Sequence, residues 1–214
     1  MFRDRSDAGR QLANALAGYK GLPVVILALP RGGVEIGAQV AQFLNAPLDL
    51  VVVRKIGHPD SPEYAIGAVA EDGFVLTNPD EAAHVDPEWL REAASYEWNE
   101  TQRRKRVFLG ERRRVSVKDK IAIIVDDGLA TGLTMEAAIH DVRKRHPQKI
   151  VAAVPVAALD TAAKIGRQVD DFIALLTPAS FQAIGAYYED FAQVTDEEVI
   201  DRMKVAPSSP MKTA

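Results

Sequence analysis

Five short apolar runs punctuate the chain: Val24–Leu29, Leu48–Val53, Ile121–Val125, Lys149–Pro155 and Asp171–Leu176. Each is too short for a helix and mostly apolar, and Ile121–Val125, β-branched and apolar on both faces, has the pattern of a strand buried in a parallel sheet. Between them the spacing changes to a helical period. Leu12, Ala15 and Leu16 predict a helix over Asp7–Ala17, with Ser6 placed to cap it. Gly37, Val40, Ala41 and Leu44 give a sheet-facing stripe to a helix from about Val34 to Leu44. Met135, Ala138, Ile139 and Val142 do the same from about Thr134, and Leu159, Ala162, Ala163 and Gly166 over Leu159–Val169. Strand and helix alternate, so the expected fold is α/β: an open, mainly parallel sheet with helices on both faces.

Two stretches break the alternation. Residues 56–80 carry glycines, prolines and short alternating runs, Tyr64–Ala70 and Phe74–Leu76, and predict a hairpin around Glu71-Asp72-Gly73. Residues 177–195 are aromatic and follow the last strand. Both are expected to be small hood elements within one domain, 1–205, followed by a disordered tail, 206–214. Asp86-Pro87-Glu88 is a helix start, with a capping Asp and a Pro in the first turn, for a long polar helix to about Arg106. Thr195-Asp196-Glu197-Glu198 is a capping box that opens a last helix to about Lys204.

Composition narrows the class. At 214 residues and 47% apolar, the chain has enough material for one real core. There is no cysteine, so disulfides and thiolate metal sites are excluded. A net charge of −4 gives no global pull toward nucleic acid or anionic membrane. No apolar run approaches the length of a membrane span, and MFRDRSDAGRQ is charged and lacks a signal-peptide core, so a cytoplasmic protein is expected. One block runs against the acidic balance: Arg103, Arg104, Lys105, Arg106, Arg112, Arg113 and Arg114. Its expected partners are Glu92, Glu97, Glu100 and Glu111, making a solvated face.

The candidate chemistry sits after the third parallel run. Ile121–Val125 leads into Asp126 and Asp127, then Gly128, Leu129, Ala130, Thr131, Gly132, Leu133 and Thr134, where a helix begins. Gly128 and Gly132 can adopt backbone angles closed to other residues. Successive N–H groups can then turn inward and cradle a phosphate at the positive end of the helix dipole. Two carboxylates beside that phosphate suit sugar hydroxyls or a hydrated Mg²⁺. Pro30-Arg31-Gly32-Gly33 repeats the grammar of strand, tight turn and helix start, with Arg31 adding a planar cation suited to phosphate oxygens. Arg54 and Lys55 close the Leu48–Val53 run and are expected at the sheet edge where such folds bind ligands.

IIVDDGLATGLT closely resembles the loop of type I phosphoribosyltransferases that binds 5-phosphoribosyl 1-pyrophosphate (PRPP), and PRGG resembles their pyrophosphate loop. The likeness covers residues 2–203 or so. It implies transfer of the phosphoribosyl group to an acceptor such as a nucleobase, with Mg²⁺ as cofactor, release of pyrophosphate, and a homodimer. It assigns Asp126 and Asp127 to the ribose hydroxyls and, through water, to Mg²⁺; Gly128–Thr134 to the 5-phosphate; and Arg31, Gly32, Gly33, Arg54 and Lys55 to pyrophosphate. It also points to the Pro30–Arg31 bond as the place for a cis peptide, and to His58–Tyr64 as part of a closing loop. His58 itself reads as an exposed loop histidine.

Phe181, shortly after Pro178, is similar in placement to the aromatic residue that stacks on the purine in hypoxanthine-guanine enzymes, with packing against the sheet edge as the other reading. Ala130 stands where those enzymes carry an acid, and DDGLATGLT is closer to the adenine phosphoribosyltransferase pattern. The other class of function considered is a regulator of the same fold that senses PRPP or nucleotides and binds RNA or DNA. Only the basic block 103–114 favours it.

Overall fold

The structure, a computed structural model, describes residues 1–206; the predicted tail from 207 to 214 lies outside the described residues. Five parallel strands form the main sheet: β1 (Val24–Ala28), β2 (Leu48–Leu50), β6 (Ile121–Val125), β7 (Lys149–Val156) and β8 (Asp171–Leu176). Their order is β2-β1-β6-β7-β8. All five residues of β1 and of β6 are buried, so the apolar runs sit at the centre, covered on both faces. On one face α1 (Arg5–Ala15) and α2 (Gly32–Leu44) close a core with Leu12, Leu16, Ile26, Ile36, Val40, Leu48 and Ile123. On the other, α5 (Leu133–Arg143) and α6 (Leu159–Gly166) cover Leu27, Ile124, Ala152 and Val154. Gly37 lets α2 lie flat on the sheet: a Cβ there would stand 3.0 Å from the Ala28 Cβ and 3.1 Å from the Leu48 Cδ1.

A second, antiparallel sheet of β3 (Arg54–His58), β4 (Ser61–Val69) and β5 (Val75–Thr77) projects from the end of β2. It is the hairpin region expected over 56–80, with the turn at Glu71–Gly73 and Gly73 at φ 85°. Between β5 and the long helix lies the single-turn α3 (Pro79–Ala82). The hairpin sheet packs Ala68 and Ala70 against the α5 side. It packs Ile56, Ile66 and Val69 against Trp89, Leu90 and Ala93 of α4 (Pro87–Leu109). The last helix, α7 (Asp196–Val205), starts in the predicted capping box, both of whose hydrogen bonds are made.

Several boundaries differ from expectation, each for a local reason. The cap of α1 is Asp4, whose carboxylate accepts the Asp7 N–H at 2.6 Å, so the helix begins at Arg5 rather than after Ser6. The Leu48–Val53 run does not stay in the main sheet: β2 stops at Leu50, and Arg54 and Lys55 belong to β3. Val51–Val53 are buried as a connector, which apolar composition alone does not distinguish from strand. The helix α4 runs past Arg106 to Leu109, and α6 stops at Gly166 rather than Val169.

The basic block is not simply a solvated face. Arg103 and Arg104 do pair with Glu100, as expected. Glu97, however, goes to Arg54. Lys105 and Arg114 both reach buried Glu71 in the hairpin turn, at 2.9 and 2.7 Å. Arg114 also bonds Asp49 of β2 at 3.1 Å, and Arg112 donates to the carbonyls of Met203 and Leu48. Glu71 in turn accepts the Val52 N–H at 2.9 Å. The two sheets are therefore tied together through one carboxylate.

Burial pushes the Glu71 carboxyl up, but the Arg114 charge, the Val52 N–H and the Lys105 hydrogen bond outweigh it and hold it below the ordinary carboxylate value. A depressed folded-state value stabilises fully above the unfolded-state value and is lost as pH falls through the folded one. Glu71→Gln should therefore cost about 3 kcal/mol at neutral pH, by leaving Lys105 without its counter-charge and Arg114 with Asp49 alone. Urea unfolding should show that gap narrowing as pH drops below the ordinary carboxylate range.

Candidate active site

Two loops meet because two strands are neighbours in register. Ala28 of β1 lies opposite Val125 of β6, and the Leu29 N–H donates to the Val125 carbonyl at 3.0 Å. The residues that leave those strands, Pro30–Gly33 and Asp126–Asp127, are thereby set side by side at the carboxyl edge. The Pro30–Arg31 peptide bond is cis. Contact is close enough to require glycine. A Cβ on Gly32 would stand 1.9 Å from Asp127 Oδ2, and one on Gly33 would stand 2.8 Å from the Val125 carbonyl oxygen.

The acid pair is desolvated. Burial pushes both carboxyls above the ordinary Asp value, and the Asp127 charge raises Asp126 further. Opposing this, Asp126 Oδ1 accepts the Asp127 N–H at 2.8 Å, and Arg5 Nε donates to Asp127 Oδ2 at 2.8 Å. Arg5 and Asp127 side chains are only 11% and 13% exposed. Arg5 Nη1 donates to the Ala192 carbonyl at 2.6 Å, and its guanidinium carbon lies 3.8 Å from the centre of the Phe191 ring. The Tyr188 hydroxyl donates to the Asp127 carbonyl at 2.6 Å, and burial beside Asp127 pushes its own value up.

The turn after the acids is held from behind. The Leu129 N–H donates to the Val156 carbonyl and the Leu129 carbonyl accepts the Ala158 N–H, both at 2.9 Å. Leu129 is thus committed to β7, and its amide is not one of the inward-facing donors expected of 128–134. Thr161 Oγ1 donates to the Ala130 carbonyl at 2.6 Å. Gly132 takes φ 78°, open to glycine, and starts α5 without a side-chain cap. Ala130 and Thr131 are exposed, Thr134 is half-buried, and Gly128 and Leu133 are buried. A Cβ on Gly128 would stand 2.6 Å from Ile184 Cγ2, so the segment after β8 lies directly over the start of the turn. An anion here would meet the first-turn amides of α5 and the Thr131 and Thr134 hydroxyls.

The other predicted residues scatter more. Arg31 is half-buried and its Nη1 meets Asp196 of α7 at 3.2 Å. The Gly33 N–H is taken by the Leu29 carbonyl at 3.1 Å. Arg54 and Lys55 sit on the hairpin sheet, paired with Glu97 at 2.7 Å and Glu63 at 2.8 Å. Residues 58–64 are the end of β3, the two-residue Pro59–Asp60 turn and the start of β4; His58 pairs with Ser61 and is a half-buried strand residue rather than an exposed loop histidine. Phe181 is half-buried and stacks on Tyr187 at 5.7 Å between ring centres. Sequence reading missed Arg5, Tyr188 and Phe191 altogether. Arg5 lies 122 residues from Asp127, and no local signal joins them.

The residues present fit Mg²⁺ in the mode that cation usually takes, one or two carboxylates with the rest of its shell from water and substrate phosphates. Asp126 and the Asp127 oxygen not held by Arg5 are the donors available. Among the described residues no cluster of three or more His, Cys, Asp or Glu stands ready for a fully protein-held metal. Among them, too, no helix is long and apolar enough to cross a membrane.

The chain is similar to known proteins. The chain is 44% identical over 202 residues to a Mycobacterium tuberculosis protein, in strains H37Rv and CDC 1551, provisionally assigned as a phosphoribosyl transferase. The match covers 94% of this chain and 46% of the relative, so the chain spans about half the length of the curated relatives it matches. The crystal structure of TT1426 from Thermus thermophilus is 40% identical, covers 95% of this chain and 97% of its own, and superposes with a TM-score of 0.78. AQ2163 from Aquifex aeolicus shares the fold at 14% identity, with a TM-score of 0.54 over 94% of this chain and 86% of its own. The phosphoribosyl transferase domain model matches residues 5–188, from the arginine on the acid pair to the tyrosine behind it, and the chain belongs to that family.

Proposed function

We propose that the protein is a Mg²⁺-dependent enzyme that transfers the 5-phosphoribosyl group of PRPP to a small acceptor of the nucleobase type and releases pyrophosphate. One observation carries this reading: adjacent strands β1 and β6 present a glycine turn and a buried acid pair in contact, next to the uncapped start of α5. The M. tuberculosis relative's assignment points the same way.

Each part has a task in that reaction. Breaking the bond between ribose C1 and pyrophosphate builds positive charge on the sugar and negative charge on the leaving oxygens. Asp126 and Asp127 hold the ribose hydroxyls and fix the ring in line with the acceptor. Gly128–Thr134 binds the 5-phosphate through the α5 amides and the two threonine hydroxyls. Arg31 and the Gly32–Gly33 turn receive the pyrophosphate, for which Arg31 exchanges Asp196, with Arg54 and Lys55 on the hairpin as the further cations. Bound Mg²⁺ would neutralise the departing diphosphate. Phe181, on its Tyr187 platform, offers a face to a planar acceptor. Exposed Ala130 supplies no acid, so an acceptor that must gain or lose a proton does so without help at that position. The homodimer and a cytoplasmic setting belong to the same proposal. The basic block gives no footing to a nucleic-acid regulator, since Arg103, Arg104, Lys105, Arg112 and Arg114 are engaged within the chain.

Three outcomes are expected. A panel of nucleobases with PRPP and Mg²⁺ should yield pyrophosphate with at least one base; release with none would defeat the enzyme reading. Asp127→Asn should weaken PRPP binding by about tenfold or more, measured by titration calorimetry, with the fold intact. Phe181→Ala should raise the KM for the acceptor by a larger factor than the KM for PRPP. Equal losses with a lowered melting temperature would make Phe181 a packing residue instead.

A further inference from the structure

We propose that Arg5 is a positioning residue of the phosphoribosyl site, fixing the Asp127 carboxylate beneath the Pro30–Gly33 turn and joining it to the C-terminal segment. The proposal rests on the PRPP reading above and adds a residue from outside both loops.

Three segments meet at this guanidinium. Nε donates to Asp127 Oδ2 at 2.8 Å, and Nη1 donates to the Ala192 carbonyl at 2.6 Å. Phe191 covers the flat face at 3.8 Å. A Cβ on Gly32 would stand 2.9 Å from Arg5 Nε and 1.9 Å from Asp127 Oδ2, so the ion pair fits directly under the turn. Arg5 is also delivered rigidly. It is the first residue of α1, behind the Asp4 cap, and α1 lies so close to α2 that a Cβ on Gly9 would stand 2.9 Å from the Gln39 side chain.

The geometry specifies arginine. Its planar fork divides donors between a carboxylate and a carbonyl while one face stacks on an aromatic ring, and a lysine ammonium cannot do all three. With Oδ2 engaged, Asp127 is held in one rotamer and presents Oδ1, beside Asp126, to a sugar hydroxyl. Both partners are nearly buried, so the pair is screened far less than a surface ion pair. Removing the guanidinium leaves two adjacent desolvated carboxyls without their cation and frees Asp127 to rotate. The same contact ties the sugar end of the site to residues 188–192, whose position Tyr188 also sets through the Asp127 carbonyl.

The test is a double-mutant cycle read by calorimetric titration of PRPP with Mg²⁺: wild type, Arg5→Met, Asp127→Asn and the double variant. Thermal melts of all four accompany it. Because Arg5 acts through Asp127, Arg5→Met should weaken PRPP binding about tenfold, and the double variant should bind no more weakly than Asp127→Asn alone. Millimolar guanidinium should restore affinity to Arg5→Ala, whereas equal ionic strength of sodium chloride should not. If Arg5→Met fails to fold, Arg5→Lys carries the same cycle, with a smaller loss that also vanishes in the Asp127→Asn background. Unchanged or tighter binding by Arg5→Met, or losses that multiply in the double variant, would overturn the proposal while leaving the PRPP reading standing. A wild-type chain that does not bind PRPP would overturn both.

Discussion

Two carboxylates buried side by side are the constraint around which this molecule is arranged. Left alone, Asp126 and Asp127 would both resist ionising, because burial disfavours their charged forms and the Asp127 charge raises Asp126 further. The chain offsets that cost with a backbone N–H and a guanidinium, and a tyrosine hydroxyl holds the backbone carbonyl of Asp127 in place. The guanidinium and the hydroxyl cannot be supplied by the strand that carries the acids. They arrive from α1 and from the segment after β8, and the shape of the protein's ligand end follows from the need to bring them there.

That need explains why the residues after β8 do not simply trail off the sheet. Ile184 seats on Gly128, Phe191 on Arg5, and Asp196 on Arg31, so one stretch of chain touches the turn after the acid pair, the pair's counter-ion and the Pro30–Gly33 turn. Arg202 then pairs with Glu35 in the first turn of α2 and keeps α7 against the same helix. The site is thus closed on one side by a packed irregular segment.

The hairpin side is built differently. Glu71 gathers Arg114, Lys105 and the Val52 amide, and the antiparallel sheet hangs on that charge cluster and on the small apolar contact with Trp89 and Leu90. This sheet adds contact with the core beneath α5 through Ala68 and Ala70. Arg54 and Lys55 ride on it, each already paired with a glutamate. A ligand that engaged them would therefore displace a glutamate rather than meet free charges.

What the sequence determined by itself is what short-range physics encodes. Short apolar runs set β1, β6, β7 and β8 nearly to the residue, the Thr195–Glu198 box set the last helix, and Gly128 and Gly132 after two acids marked the turn. The Pro30–Arg31 bond, suggested by family resemblance, is cis as well. What only the tertiary structure decided is everything that joins distant parts. Val51–Val53 read as strand because burial and strand pairing call for the same residues, and only the exit of Arg54 into a second sheet separates them. The arginines of 103–114 read as surface because charge without a visible partner reads that way; Glu71 and Asp49 lie 43 and 65 residues before Arg114. Arg5 was invisible for the same reason. Its meaning lies in Asp127 and Phe191, and a contact across 122 residues leaves no periodicity in the chain, because it costs nothing locally and is fixed only when the sheet brings its edges together.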